Sequence, residues 1–261
     1  MSAVKIVRFL SGPPGLADDL RALWGRALGA GPGASASPGG PAAAGRPVRV
    51  ALGVPLRLPE LAPSPYAAVD VQWFRGGPAA LANDAWLRAT APDLALDAPP
   101  FAAGSCRVVA DEVVLRGADY LAARWRAGGD RYKMLSFGRR NPELTPHEFS
   151  ARWRGEAGRL GAEQIPEDVR GAAYVQNHPV AGDGPEWPLD AVNEVWFDRL
   201  DLLRRRAAWL AARQDEALRS GAVGFMSPTE VWSIAVREVV LTPPGGDDGL
   251  ELDCRSPGLV P

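Results

Sequence analysis

Chemistry in this chain has few places to happen. It holds two histidines, His147 and His178, and two lysines, Lys5 and Lys133, among 261 residues. Histidine is the side chain whose unperturbed pKa lies near neutrality, so it is the first candidate for moving a proton. His147 falls in what reads as the first turn of a helix, where any polar residue would serve. His178 ends the run Tyr174-Val175-Gln176-Asn177-His178, which has strand character. Alternation puts Tyr174, Gln176 and His178 on one face of that strand and Val175 and Asn177 on the other. The apolar Val175 suggests that helices cover the second face, so the first is expected to look into an enclosed interior.

Glu194, Trp196 and Asp198 alternate in the same way along another strand. Glu194 beside His178 on a neighbouring strand would make an acid/base pair. The plainer alternatives are a strand-end histidine that caps or meets solvent, and a buried glutamate held by an arginine. Asp198 precedes a helix and suits its N-cap. Arg139 and Arg140 could hold a carboxylate or phenolate, or be solvated. Trp73, Trp196 and Val71 lie on strands and could wall an aromatic-friendly pocket. His178 and Glu194 are therefore the expected catalytic groups. Tyr174, Gln176, Trp196, Trp73, Val71 and Arg139 are the expected substrate contacts.

These residues sit in a pattern that occurs twice. Trp73-Phe74 and Trp196-Phe197 each have a further tryptophan thirteen positions after the first, at Trp86 and Trp209. Glu112-Val113-Val114-Leu115 recurs as Glu238-Val239-Val240-Leu241, and Lys5, Phe9 and Trp24 match Lys133, Phe137 and Trp153. A period near 123–129 residues is too long for a solenoid unit and implies domain duplication. In the second copy, strand-like Tyr132 to Phe137 precedes a helix start at Thr145-Pro146-His147-Glu148, with a capping threonine, proline at the first helical position and a capping-box glutamate. Strands follow over Ala172 to His178 and Ala191 to Phe197, then a helix over Leu200 to Arg219 and a strand over Thr229 to Leu241. The first copy gives the same βαββαβ order.

The expected fold class is α+β: two fused ferredoxin-like repeats at 1–120 and 128–243, forming an intramolecular dimeric α/β-barrel, or pseudodimer. A Gly/Pro/Ala/Ser insertion at 29–47 and a tail at 244–261 are expected to be disordered. Trp24, Trp86, Trp153 and Trp209 read as core. Leu52, Gly53 and Val54 stand where the second copy has Gln176, Asn177 and His178. The reaction centre is thus expected in the second copy.

Composition narrows the classes. With 29 basic and 31 acidic residues, nothing draws the chain to nucleic acid or anionic lipid. Cys106 and Cys254 do not make a disulfide framework or zinc site. There is no signal-like segment and no apolar run of membrane-spanning length, so a cytoplasmic protein is expected. Phosphate-binding loops, a nucleophile elbow and metal-spaced His/Cys clusters are absent from the sequence, so no cofactor and no metal are expected.

The run Tyr132 to Arg140, then Leu144-Thr145-Pro146-His147-Glu148-Phe149 and Trp153, resembles the opening of EthD-type proteins. Tyr174 to His178 and Glu194 to Asp198 resemble that family's later strands. The resemblance covers roughly 131–241 and implies the dimeric α/β-barrel superfamily, with its polyketide cyclases, cofactor-free anthrone oxygenases, dehydratases, decarboxylases and isomerases. The helix histidine common in that family is Ala157 here. The implied function is a cofactor-independent cyclase, dehydratase or isomerase for a small hydrophobic, aromatic or polyketide-type metabolite. The alternatives are a cofactor-free oxygenase and a non-catalytic carrier. The expected partner is the small metabolite alone, with a monomeric pseudodimer and a higher homo-oligomer both left open.

Overall fold

The computed structural model describes residues 4–29, 45–97, 101, 104–157, 165–180, 187–220 and 226–242. Most of the expected 29–47 insertion and all of the 244–261 tail lie outside the described residues.

The strands are β1 (Val4–Leu10), β2 (Arg49–Pro55), β3 (Ala68–Phe74), β4 (Cys106–Arg116), β5 (Arg131–Arg140), β6 (Ala173–Pro179), β7 (Ala191–Phe197) and β8 (Met226–Val240). They close into one antiparallel barrel in the order β1-β3-β2-β8-β5-β7-β6-β4. Going round it, β4-β1-β3-β2 come from the first half of the chain and β8-β5-β7-β6 from the second. The halves join edge to edge, through Ala51↔Val240 to Pro55↔Val236 on one seam and Ala110↔Pro179 to Arg116↔Tyr174 on the other. The two four-stranded halves thus make a single closed wall. Closure leaves no unpaired strand edge.

The strands are buried on both faces, as the seven buried residues of β1 show. Outside the barrel lie α1 (Leu16–Gly29), α2 (Gly77–Leu81), α3 (Asn83–Thr90), α5 (Pro146–Arg152) and α6 (Leu200–Ser220). The expected capping box forms: Thr145 Oγ1 accepts from the Glu148 backbone N–H at 3.2 Å, and Glu148 accepts from the Thr145 N–H at 2.9 Å. A π-helical turn, Trp153–Ala157, continues α5.

An eight-stranded barrel is just wide enough to be filled by side chains or to hold one small ligand. Here Val7, Ala51, Val71, Val108, Leu135, Val192 and Val236 pack its middle. Phe9, Tyr66 and Phe137 crowd one end, with Phe9 and Phe137 4.4 Å apart between ring centres. The connection between the halves is itself a helix, α4 (Ala118–Ala127), and it covers the other end. Gly117 turns the chain into α4 with φ of 77°, and a Cβ there would collide with Ala172 and Ala173. Trp125 of α4 meets Trp73 edge-on at 4.8 Å, and Arg49 lies over the Trp125 ring at 4.2 Å. Among the described residues no helix is long and apolar enough to cross a membrane.

Candidate active site

Beneath α4 the barrel interior carries charge. Lys5 Nζ lies 3.0 Å from Glu112 and 2.6 Å from Glu194. Lys133 Nζ lies 2.7 Å from the other Glu194 oxygen and also pairs with Glu238, which Arg124 of α4 reaches at 2.7 Å. Asn177 donates to Glu194 at 2.8 Å, and Trp73 Nε1 donates to Glu112 at 2.9 Å. The register repeats between the halves. Lys5 stands opposite Trp73 and Ala110, and Lys133 opposite Trp196 and Val236, with Glu112 and Glu238 two residues further on.

Burial alone would raise the Glu194 carboxyl, but Lys133 and Lys5 together hold it down to about 2. Burial likewise works against the Lys5 ammonium, and Glu112 and Glu194 outweigh it, leaving its pKa raised. Glu194 is thus ionised, sealed from solvent and engaged through both oxygens. It has no proton to exchange near neutrality.

His178 is on the other side of the wall. Its Nδ1 is 3.1 Å from Ser150 Oγ on α5, its Nε2 is 3.0 Å from Gln176 Oε1, and its ring lies 4.3 Å from Trp153. The face of β6 holding Tyr174, Gln176 and His178 therefore meets the helices, and the Val175 and Asn177 face looks inward. The expectation is reversed because Val175 does not pack on an outer helix. It joins Val114, Leu121, Ala173 and Trp196 beneath α4, which spans the junction between the expected repeats at 1–120 and 128–243. His178 and Glu194 consequently form no acid/base pair. Trp73, Trp196 and Val71 are buried inside the barrel, away from His178. Arg139 is bound to the Trp187 carbonyl at 2.5 Å and lies 3.4 Å from Asp190.

The outer face of the second half is built around one polar rung. Ser233, Ser136, Asn193 and Gln176 stand opposite one another across β8, β5, β7 and β6. Above it, Phe149 and Trp153 pack on Ala191. Below it, Leu203 and Ala207 of α6 pack on Met134, Val195 and Phe197. Ser233, Ser136, Asn193 and Tyr174 remain half-buried, so the rung floors a groove between α5 and α6.

The hydrogen bonds along this floor have a defined direction. Gln176 Nε2 donates to the Trp153 carbonyl at 3.2 Å, which fixes the amide because a carbonyl can only accept. Gln176 Oε1 then faces His178 Nε2, which must carry the proton, and Nδ1 accepts from Ser150. Tyr174 Oη accepts from Gln176 at 3.3 Å and donates to Asn193 Oδ1 at 2.9 Å. That leaves the Asn193 amide N–H groups uncommitted among the described residues. Burial, with Arg154 adding repulsion, depresses His178 to about 3, so it is neutral at pH 7 and does not titrate there as expected. Burial raises the Tyr174 phenol.

At the lower end of the groove are two arginines. Arg116 stands opposite Tyr174 in the β4–β6 register, and Arg206 comes down from α6. Burial brings Arg206 to about 10, with Tyr174 opposing and Arg116 repelling it. Ser136, Ser150, Asn193, Ser233, Arg116 and Arg206 were not among the expected site residues. The available signal was a polar residue inside apolar strands: Ser136 between Leu135 and Phe137, and Asn193 between Val192 and Glu194.

The matching place in the first half is closed. Arg8 donates to Asp70 at 3.1 Å and to the Leu94 carbonyl at 2.5 Å, and Trp24 Nε1 donates to Asp70 at 2.9 Å. Leu10, Leu20 and Leu52 complete a solid core there. Among the described residues no three His, Cys, Asp or Glu side chains converge to hold a metal ion.

No family model and no curated protein matches this sequence. A crystal structure of an anthrone oxidase-like protein is similar over 94% of this chain and 95% of its own, at 13% identity and a TM-score of 0.56. The likeness is one of fold. Candidate monooxygenases from Lactobacillus acidophilus and Fusobacterium nucleatum align over 93% and 92% of this chain and 95% and 93% of their own, each at 8% identity, with TM-scores of 0.44 and 0.45. At those scores they add nothing to the fold.

Proposed function

We propose that this chain is an enzyme for a small hydrophobic, aromatic or polyketide-type metabolite, bound over the polar rung between α5 and α6. One observation carries the reading. The second half holds a half-open floor of oriented hydrogen-bond donors where the first half is solid and charge-locked. Apolar walls above and below suit a flat substrate. The Asn193 amide and the Ser136–Ser233 hydroxyl pair, 2.8 Å apart, are placed to donate to an oxygen that gains charge.

Such donors stabilise the enolate formed when an acidic carbon flanked by carbonyls, as in a polyketide-type chain, gives up its proton to solvent water at the half-open floor. Cyclisation, dehydration and isomerisation all proceed from that species. His178, neutral and engaged at both nitrogens, acts here as a positioning residue that fixes Gln176, Tyr174 and Asn193. Glu194 and the paired lysines hold the barrel together. The matched Lys–Trp–Glu register supports the further reading that the two halves derive from one EthD-type unit of the dimeric α/β-barrel superfamily.

A second reading, a cofactor-free oxygenase, draws support from the anthrone oxidase-like fold match. The same enolate would then react with dioxygen. The deciding experiment follows turnover of aromatic polyketide substrates with an oxygen electrode, in wild type and Asn193→Leu. Loss of one oxyanion donor should lower kcat by about a hundredfold or more with little change in KM. Oxygen uptake in step with product selects the oxygenase. An Asn193→Leu protein with undiminished kcat would remove the groove as the site.

A further inference from the structure

Arg206 is more than nine-tenths buried, yet among the described residues its Nε and one terminal nitrogen have no hydrogen-bond partner. Its guanidinium rests on the Trp209 ring at 4.6 Å, which orients the group without neutralising it. Arg116 bonds the Arg170 carbonyl at 2.5 Å and reaches the Gly171 carbonyl at 3.4 Å, while its Nε is also buried and has no partner among the described residues. Among the described residues neither arginine pairs with a carboxylate, and the group that acts on both is the Tyr174 phenol, which burial keeps neutral. The nearby Asp168 is engaged at the surface with Arg205, at 3.8 Å. Arg206 is a buried cation with unfilled donors, and the charge of the half-buried Arg116 works against it, so the arrangement costs stability that an anion would restore.

We propose that Arg206 and Arg116, with Tyr174 between them and the polar rung, form a carboxylate-binding subsite at the lower end of the groove. This deepens the reading above, since it makes the substrate an acid: an aromatic or polyketide-type carboxylate. The planar fork of Arg206 suits the two oxygens of a carboxylate. The subsite is shared between the halves, because Arg116 belongs to β4 and Tyr174 and Arg206 to β6 and α6. An acid anchored here would run past Tyr174 along the polar rung toward the Asn193 amide.

The test uses the full chain with 2-naphthoate and its uncharged counterpart 2-naphthamide, with binding read by calorimetry. Naphthoate should bind about ten- to a hundredfold more tightly than the amide, as expected for a buried charge-assisted contact. Arg206→Met should abolish that preference, and Arg206→Lys should keep part of it. Unfolding temperature separates a subsite from a structural arginine: Arg206→Met should be as stable as wild type or more so, because the charge it removes has no partner. Equal binding of acid and amide, no measurable binding of either at millimolar concentration, or an unchanged preference in Arg206→Met would each overturn the proposal. Turnover is not read, so a chain that binds acids without catalysis passes this test, and an enzyme for neutral substrates fails it while keeping the function proposed above.

Discussion

The tautomer of His178 follows from one backbone carbonyl, and its acid behaviour follows from burial. An unfolded histidine takes up its proton near 6.5, whereas the folded one resists until about 3. Between those values the unfolded chain binds more protons, so His178 contributes stability that is complete above pH 6.5 and is lost as the pH falls toward 3. Carboxylates with depressed pKa, such as Glu194, add their own loss only below their unfolded value of 4.5. Thermal unfolding measured from pH 7.5 to 4.5 should therefore drop in wild type and stay nearly flat in His178→Gln, with the variant weaker by about 1–2 kcal/mol at pH 7. An equal slope in both proteins would mean that His178 titrates normally. Enzyme turnover should show no inflection from this residue between pH 5.5 and 8. At this scale the sequence displayed the right residue types but not their facing. Alternation sorts Tyr174, Gln176 and His178 onto one side, yet which side meets the helices depends on where Val175 packs.

Elements were the most legible level. The expected strand over Ala191 to Phe197 and the Thr145–Glu148 box coincide with β7 and the start of α5, and the expected Tyr132 to Phe137 is the middle of β5, which begins one residue earlier and ends three later. The helix over 118–127 was missed because its apolar face is short: Leu121 and Trp125, bracketed by Gly117 and Gly128. Its value is positional, since it delivers Arg124 to Glu238 and Trp125 to Trp73. Gly117 is the residue that permits the turn, combining a left-handed backbone with no room for a Cβ. Gly117→Ala should cost about 1–2 kcal/mol for the backbone alone, and more for the displaced β6 strand. Chemical denaturation would show it as a lower midpoint with an unchanged slope. A neutral result would mean that α4 does not depend on this turn.

On the scale of the whole molecule, the halves share two seams and one ionic layer. Fragments 1–117 and 118–261 expressed separately should each leave two strand edges unpaired and a charged layer half assembled. Each fragment alone is expected to aggregate or to bind non-native partners, and co-expression should recover a soluble complex that co-elutes in size-exclusion chromatography. A stable, monomeric first fragment would show that the barrel is not one cooperative unit. The sequence repeat pointed to this closure, because matched Lys5/Lys133, Trp73/Trp196 and Glu112/Glu238 must face a common interior. It was silent on the α5–α6 groove, where the halves differ. Glu194 makes the difference clearest. It bridges the lysines of both halves, and the place that corresponds to it in the first half is Val71, which packs among apolar residues. A barrel assembled from two identical chains would have to carry such a glutamate twice or not at all, as every interior substitution would appear on both sides of the twofold axis. In one continuous chain a single carboxylate can serve two ammonium groups. That freedom from symmetry also lets one outer face become a solid buttress while the other stays half-open.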